Sequence, residues 1–435
     1  MSQNVDSQKK LTLVATGDSL IFQRISIFKE KEFLKVQDII KEGDLSFNNF
    51  ETIIPGAGGF PRHKTDPTAW MTSPKYVVDE LLWMGLNMFS LANNHSMDYS
   101  EGGLLETKQI FDDAGVMNAG TGRNLSEARG PVYLNTEKGR VALIASDTRD
   151  EDSPASNQRG TVPGRPGVNP LRGKTKIILD KNEFQKLSEI NYKLDLPKPV
   201  NNQLRFFGNI VELGDRNDIV TEPYEPDFEG NLKAIEEARK NADYVFVSIH
   251  NHEKLRPGAM YFDDTIEYIA KFVEVSSRKA IDAGADAVLG HGTHCLNGIE
   301  IYKKHPIFYG LGNFIAQNYQ ANPKPYDWYE ARNLHTEAYP DESKGNLYPQ
   351  LEEEAEKRRV IRLTTSVVAK MIFEKNQLAE LLLYPIEMSR ADKQGGRPIL
   401  VSGEKAQEIL ERLERLSQPY GTNIIINDGI GKVIF

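Results

Sequence analysis

The chain has 435 residues, 39% hydrophobic and 26% charged, with a formal net charge of -9. That acidic balance argues against nucleic acid as a partner, because such binders carry a basic surplus or stripe. No apolar run reaches the roughly 18 residues that span a bilayer, and the single cysteine, Cys295, excludes an intrachain disulfide. The polar residues 1–10 predict neither a signal peptide nor a membrane anchor in this chain, and the expected location is cytoplasmic.

Residues 11–15 are an apolar run of strand length, ending in Thr16-Gly17-Asp18-Ser19, which sets a carboxylate at a strand tip. Residues 29–41 have helical spacing, broken by Gly43-Asp44, and residues 45–50 read as a second strand with Glu51 at its end. The glycine-rich loop 56–61 lacks the Gly-Lys-Ser/Thr of a phosphate cradle. Ser73-Pro74 predicts an N-cap and first-turn proline for a helix that Gly85 stops. A third strand, 88–92, delivers Asn93-Asn94-His95-Ser96-Met97-Asp98 to a loop, and a helix over about 101–114 follows. Residues 132–135 and 141–145 form a hairpin.

From 150 to about 205 the periodicity is lost, apart from a short helix over 184–190, and the stretch reads as an inserted loop rich in Gly and Pro. Arg165 and Arg172 in it either hold an anionic substrate group or are two solvated arginines. A charged helix over 231–241 leads to the clearest strand, 243–249, which ends in His250-Asn251-His252-Glu253. An amphipathic helix over 266–283 is stopped by Gly284, and a strand over 286–289 ends in Gly290-His291-Gly292-Thr293-His294. A hairpin over 298–309 closes on Gly310-Leu311-Gly312-Asn313. Residues 316–359 are polar and acidic; strands at 360–365, 367–374 and 381–384, a helix over 404–416 and two terminal strands complete the chain. No linker divides it, so an α/β unit over 11–315, with an insertion at about 150–205, is expected to carry residues 316–435 as an extension packed on the same domain.

Asp18, Glu51, Asn94, His95, Asp98, His250, His252, His291 and His294 almost all follow a predicted strand. Five of the eight histidines fall in these few loops, and in an α/β sheet such strand ends share one edge, so the side chains can converge. Carboxylate, amide oxygen and imidazole together suit Mn, Fe or Zn better than Ca, which prefers all-oxygen shells. His95 lies three residues from Asp98, a spacing that lets a carboxylate fix one ring nitrogen and leave the other as a proton donor. Glu253 is a candidate partner or base beside the centre, His252 a candidate substrate contact, and Cys295 a soft ligand, a nucleophile or a small buried thiol.

Residues 91–98 with Gly102-Gly103-Leu104-Leu105-Glu106-Thr107, together with Asn49-Phe50-Glu51, Gly290–His294 and Tyr309-Gly310-Leu311-Gly312-Asn313-Phe314, resemble the signature of the CapA family. These are the poly-γ-glutamate capsule synthesis proteins. The resemblance covers about residues 11–315. It implies a calcineurin-like metallophosphoesterase fold, a four-layer α/β/β/α sandwich of two mixed sheets with helices outside. It also implies two divalent metal ions held by Asp18, Glu51, Asn94, His250, His291 and His294, with His95 and Asp98 as the catalytic acid and its partner. Two departures bear on the chemistry. Leu20 stands where metallophosphatases place a histidine after their first aspartate, and Glu51 stands where they carry an aspartate with a phosphate-gripping arginine nearby. The resemblance therefore implies hydrolysis of an amide or ester bond in a glutamyl- or peptide-like substrate by a metal-activated water, rather than phosphatase action. Arg165, Arg172, His252 and Glu253 would contact that substrate. A peptide epimerase on the same site, or a non-catalytic polymer-binding or assembly component, are the alternatives.

Overall fold

The computed structural model describes residues 10–64, 70–149, 154–253, 267–317, 324–331, 353–389 and 395–435. Two sheets dominate an α/β fold. The first has ten strands, among them Leu11–Leu20, Leu45–Phe50, Met88–Ser90 and Met117–Ala119 as parallel neighbours in chain order. The second has six, with Gly139–Asp147, Tyr244–His250, Ala287–His291 and His305–Phe308 parallel to one another.

Alternation along each strand explains why these runs look uniformly apolar in sequence. Successive side chains point to opposite faces of a sheet, and here both faces of the central strands are covered. Leu11, Leu13 and Ala15 join Leu143, Phe246 and Leu289 in one buried cluster shared by the two sheets. Val14 and Phe89 on the first sheet instead meet Phe33, Val36, Leu81 and Phe111 from the helices Lys31–Lys41, Val77–Met84 and Ser100–Asp113. On the second sheet Val245, Val247 and Val288 meet Ile235, Phe272 and Ile281 from the helices Glu225–Asn241 and Lys271–Asp282. At about 1.5–3 kcal/mol for each fully buried large side chain, these faces hold the strand tips in place.

The C-terminal strands complete the first sheet. Thr365–Glu374 lies antiparallel to Leu11–Leu20, Gln377–Met388 follows as a hairpin, and the terminal pair Asn423–Asn427 and Ile430–Ile434 extends the edge. The helix Gly403–Ser417 adds Ile409, Leu410, Leu413 and Leu416 to the shared core.

Several expectations are corrected. The first strand runs on to Leu20 rather than stopping near residue 15. Past Ala15 it trades Thr365–Glu374 for the parallel strand Asn313–Ala316, pairing Asp18 with Asn313 before a register shift at Asp18/Ser19, so Asp18 lies within a strand. Ser73 is no N-cap: its hydroxyl donates to the Ile21 carbonyl (2.6 Å), and the helix begins at Val77 with no side-chain cap. Residues 173–223, which overlap the loop expected up to about 205, hold a four-stranded sheet built from Gly173–Leu179, Gln203–Phe206, Asn209–Leu213 and Asp218–Pro223, with the helix Lys181–Lys193 packed on it through Phe184. Ile266, the expected helix start, and most of the acidic stretch 316–359 lie outside the described residues.

Candidate functional site

The carboxyl ends of the parallel strands from both sheets meet at one buried cluster. Register places Asp18 opposite Asn49 and Asn313 on the first sheet, and His250 opposite His291 and Asp147 on the second. Across the gap His291 Nδ1 lies 3.3 Å from Asp18 Oδ1, and His294 Nδ1 lies 3.5 Å from Asp18 Oδ2. Asn49 Nδ2 (2.8 Å) and the Gly292 amide (2.9 Å) donate to the same carboxylate. Burial alone would raise the Asp18 pKa, but hydrogen bonding to His291 and His294 outweighs it and holds the carboxyl well below its ordinary range. Gly292 has φ +100°, and a Cβ there would sit 2.8 Å from the Asn251 backbone and 2.9 Å from His250 Cε1, so the turn requires glycine.

Glu51 is fully buried, yet neither Oε1 nor Oε2 has a hydrogen-bond partner. Oε1 faces three imidazole nitrogens instead: His294 Nε2 at 3.6 Å, and His250 Nε2 and His252 Nε2 each at 3.9 Å. Those gaps are longer than a hydrogen bond and have the width that a cation between donors creates. Burial, then the charge of Asp18, pushes the Glu51 pKa well up. Burial likewise holds His250 and His252 well below the ordinary histidine value, so both rings are neutral, the form that ligates a metal. Among the described residues, three groups that could hold a metal ion have their donor atoms mutually within 4.8 Å: Asp18, His250, His291; Glu51, His250, His252; and Asp18, Glu51, His294. The donor set fits divalent Mn, Fe or Zn.

Supporting bonds orient the rings. Ser248 Oγ meets His291 Nε2 at 2.7 Å and Asn313 Oδ1 meets His294 Nδ1 at 3.0 Å, while Asn94 Oδ1 lies 3.0 Å from His250 Nε2, among the atoms that could hold a metal. Such partners fix tautomer and ring direction in metal sites. Leu20 packs with Phe22 and Met71 in a small apolar cluster and contributes no donor.

His95 stands beside this cluster. Its Nδ1 lies 2.7 Å from Asp98 Oδ2, which also accepts from the Met71 amide at 2.7 Å, while Lys64 Nζ pairs with Asp98 Oδ1. Burial would raise Asp98, but the charges of His95 and Lys64 bring its pKa below the ordinary value. Burial lowers His95, and the Asp98 charge only partly offsets it.

The structure brings together Asp18, Glu51, Asn94, His95, Asp98, His250, His291 and His294. His252, a candidate substrate contact from sequence, lies among the groups that could hold a metal. Arg165 and Arg172 are engaged elsewhere. Arg165 donates to the Pro154 carbonyl (2.8 and 3.2 Å), and Arg172 forms a forked pair with Asp227 (2.6 and 3.1 Å). Glu253 accepts the Ala270 amide on its backbone carbonyl, and Cys295 is a buried thiol whose pKa burial pushes up to about 12. Sequence reasoning missed Asp147, buried at the tip of Gly139–Asp147, and Arg149, whose charge helps lower His252. It also missed Lys64 and Asn49. Asp147, which ends a strand, and Asn49, within the Asn49-Phe50-Glu51 motif, carried a readable signal; Lys64 did not.

Fold and cluster together define an α/β protein with a buried histidine–carboxylate centre where two sheets meet. The family model described as bacterial capsule synthesis protein PGA_cap matches residues 12–318, so the chain belongs to that family. Uncharacterized protein y4sH of Sinorhizobium fredii is 33% identical over 97% of this chain and 92% of its own length. Capsule biosynthesis protein CapA of Bacillus anthracis is 23% identical over 71% of this chain and 60% of its own. A Mycobacterium tuberculosis protein named "Probable polyglutamine synthesis accessory protein" is 24% identical over 62% and 55%. A crystal structure of a hypothetical protein from Thermus thermophilus aligns over 89% of this chain and 96% of that one at 14% identity, with a TM-score of 0.34, too low to carry an argument.

Proposed function

We propose that this chain is a divalent-metal-dependent hydrolase of amide or ester bonds in a glutamyl- or peptide-like substrate. In this reading the two sheets and their outer helices form the four-layer sandwich of metallophosphoesterases. The observation that carries the proposal is Glu51: a fully buried carboxylate whose two oxygens lack hydrogen bonds and face three imidazole nitrogens. An uncompensated buried carboxylate is costly, and a cation among these donors removes the cost.

Asp18, Glu51, Asn94, His250, His252, His291 and His294 would hold one or two ions. Bound there, divalent metal supplies Lewis acidity that activates a water and polarises a carbonyl oxygen. The rest falls to the protein. Asp98 accepts from His95 Nδ1 and fixes the ring; Nε2, 3.4 Å from the Asn94 amide nitrogen, then takes up a proton, a step the Asp98 charge favours, and delivers it to the leaving group. Lys64 and the Met71 amide hold Asp98 in place. Arg149, whose charge acts on His252, is a candidate for holding an anionic substrate group, whereas Arg165 and Arg172 pair with the Pro154 carbonyl and Asp227.

The test uses the purified, metal-loaded protein on a panel of γ-glutamyl amides, esters and phosphoesters. Turnover of an amide or ester is expected, falling about 10²–10⁴-fold in His95→Ala with metal content unchanged. The relative named as an accessory protein favours a second reading, a non-catalytic component that keeps the metal. Full metal occupancy with no turnover on any member of the panel would replace the first reading with the second.

A further inference from the structure

The four-stranded module within residues 173–223 has one rim crowded with exposed apolar side chains. Among the described residues, ten large apolar side chains are more than half exposed, and four of them, Tyr192, Leu194, Val200 and Phe207, fall within residues 192–207. The fold gathers them along the edge strand Gln203–Phe206. Asn191 Nδ2, in the last turn of Lys181–Lys193, donates to the Pro197 carbonyl at 2.6 Å and to the Arg205 carbonyl of that strand at 3.3 Å. Val200 bridges Gln203 where the strand starts, and Phe207 follows where it ends.

Phe207 and Gly208 form the two-residue turn into Asn209–Leu213, with φ of +44° and +85°, the left-handed pair that such a turn needs. Asn or Asp takes the first position at little cost, whereas a bulky aromatic there is strained. Phe207 gains little burial in return, resting edge-on against Phe206 with ring centroids 4.8 Å apart. Folding alone gives no reason for an aromatic at that position. Lys193, Lys198 and Arg205 stand among these side chains, and none lies within ion-pair distance of a carboxylate among the described residues. Asp195 is the one acidic residue in 192–207, so this segment carries +2 in a chain of -9. Pro197 and Pro199 lead into Val200 beside the edge strand, and their missing N–H groups disfavour addition of a strand from a second copy.

We propose that this rim docks on an anionic lipid bilayer, with Tyr192, Leu194 and Phe207 entering the boundary between headgroups and acyl chains and Lys193, Lys198 and Arg205 meeting lipid phosphates. The apolar side chains stand on separate turns and a helix end rather than in one groove, a form that suits a fluid surface better than a shaped protein partner. Aromatic rings and leucine partition into that boundary, and long basic side chains reach headgroups while their stems stay among apolar groups. The rim does not depend on the chemistry of the metal centre.

Flotation of the full chain with phosphatidylcholine vesicles, with and without about one-third phosphatidylglycerol, tests this. Binding to the anionic vesicles is expected, lost in high salt, with little binding to the neutral ones. Phe207→Asn, a residue suited to the turn, should weaken binding at least about fivefold through lost apolar contact. The Lys198→Ala, Arg205→Ala double variant should weaken it at least about tenfold, and both positions are exposed, so the fold does not rest on them. No binding to anionic vesicles, equal binding to neutral ones, or wild-type binding in both variants would overturn the proposal. So would dimerisation of wild type in sedimentation velocity that Phe207→Asn abolishes while vesicle binding is absent, which would assign the rim to a second copy.

Discussion

At the scale of single residues the site divides into groups that would hold metal and groups that move a proton. Glu51→Ala removes the oxygens that face three imidazoles and should lower metal occupancy, read by elemental analysis of the purified protein. His95→Ala should spare occupancy and lower turnover; equal metal loss in both variants would show that the division is wrong. Much of this is legible in sequence, because His250, His291 and Glu51 end strands and strand tips share an edge. Asp147 escapes because the apolar run of its strand stops at Ala145, two residues short of the strand's end. Lys64 carries no local signal, since it reaches Asp98 from a separate loop, and Asn49, though part of the Asn49-Phe50-Glu51 motif, shows its role only through parallel register with Asp18. Arg165 and Arg172 look available in a Gly/Pro-rich loop because their partners, a backbone carbonyl and Asp227, are not legible in sequence.

At the scale of elements, two junctions decide whether the tips line up. Glu80, on Val77–Met84, accepts from the Ile25 amide (2.9 Å), the Ser26 amide (2.7 Å) and Arg24 Nη1 (2.8 Å), tying this helix to the segment after the first strand. Burial would raise its pKa, but the hydrogen bonds from Ser26, Ile25 and Arg24 lower it. A carboxyl depressed in the folded state stabilises above its unfolded pKa, about 4.3, and loses that contribution as pH falls through the lower folded value. Glu80→Gln should therefore cost about 1–3 kcal/mol at pH 7 by denaturant unfolding, with the gap to wild type closing in acid. An unchanged gap at low pH would contradict this origin. Gly292→Ala should reduce metal occupancy, since any Cβ displaces Asn251 or His250. The long helices and buried strands are readable from periodicity, but the module within 173–223 is not. Its strands are short and half solvated, so alternation is weak, and only turns such as Asn201-Asn202, with φ of +50° and +62°, mark it.

For the whole molecule, the chain is an α/β member of the PGA_cap family whose C-terminal strands finish the sheet that carries Asp18. Among the described residues no helix is long and apolar enough to cross a membrane. Metal held by both sheets at once would bind the folded state alone and couple site to fold. Chelation should then lower the melting temperature, with saturating metal worth about 2.7 kcal/mol at a hundredfold excess over Kd. A melting temperature indifferent to chelator would argue against a centre shared between the sheets.

The central claim is that the cluster around Glu51 is a divalent metal centre. Calorimetric titration of chelator-stripped protein with Mn²⁺ tests it most directly. Saturable uptake of about one or two ions per chain is expected, abolished or weakened at least about a hundredfold in the His291→Ala, Glu51→Ala double variant. No saturable uptake by wild type, or equal uptake by the double variant, would contradict it.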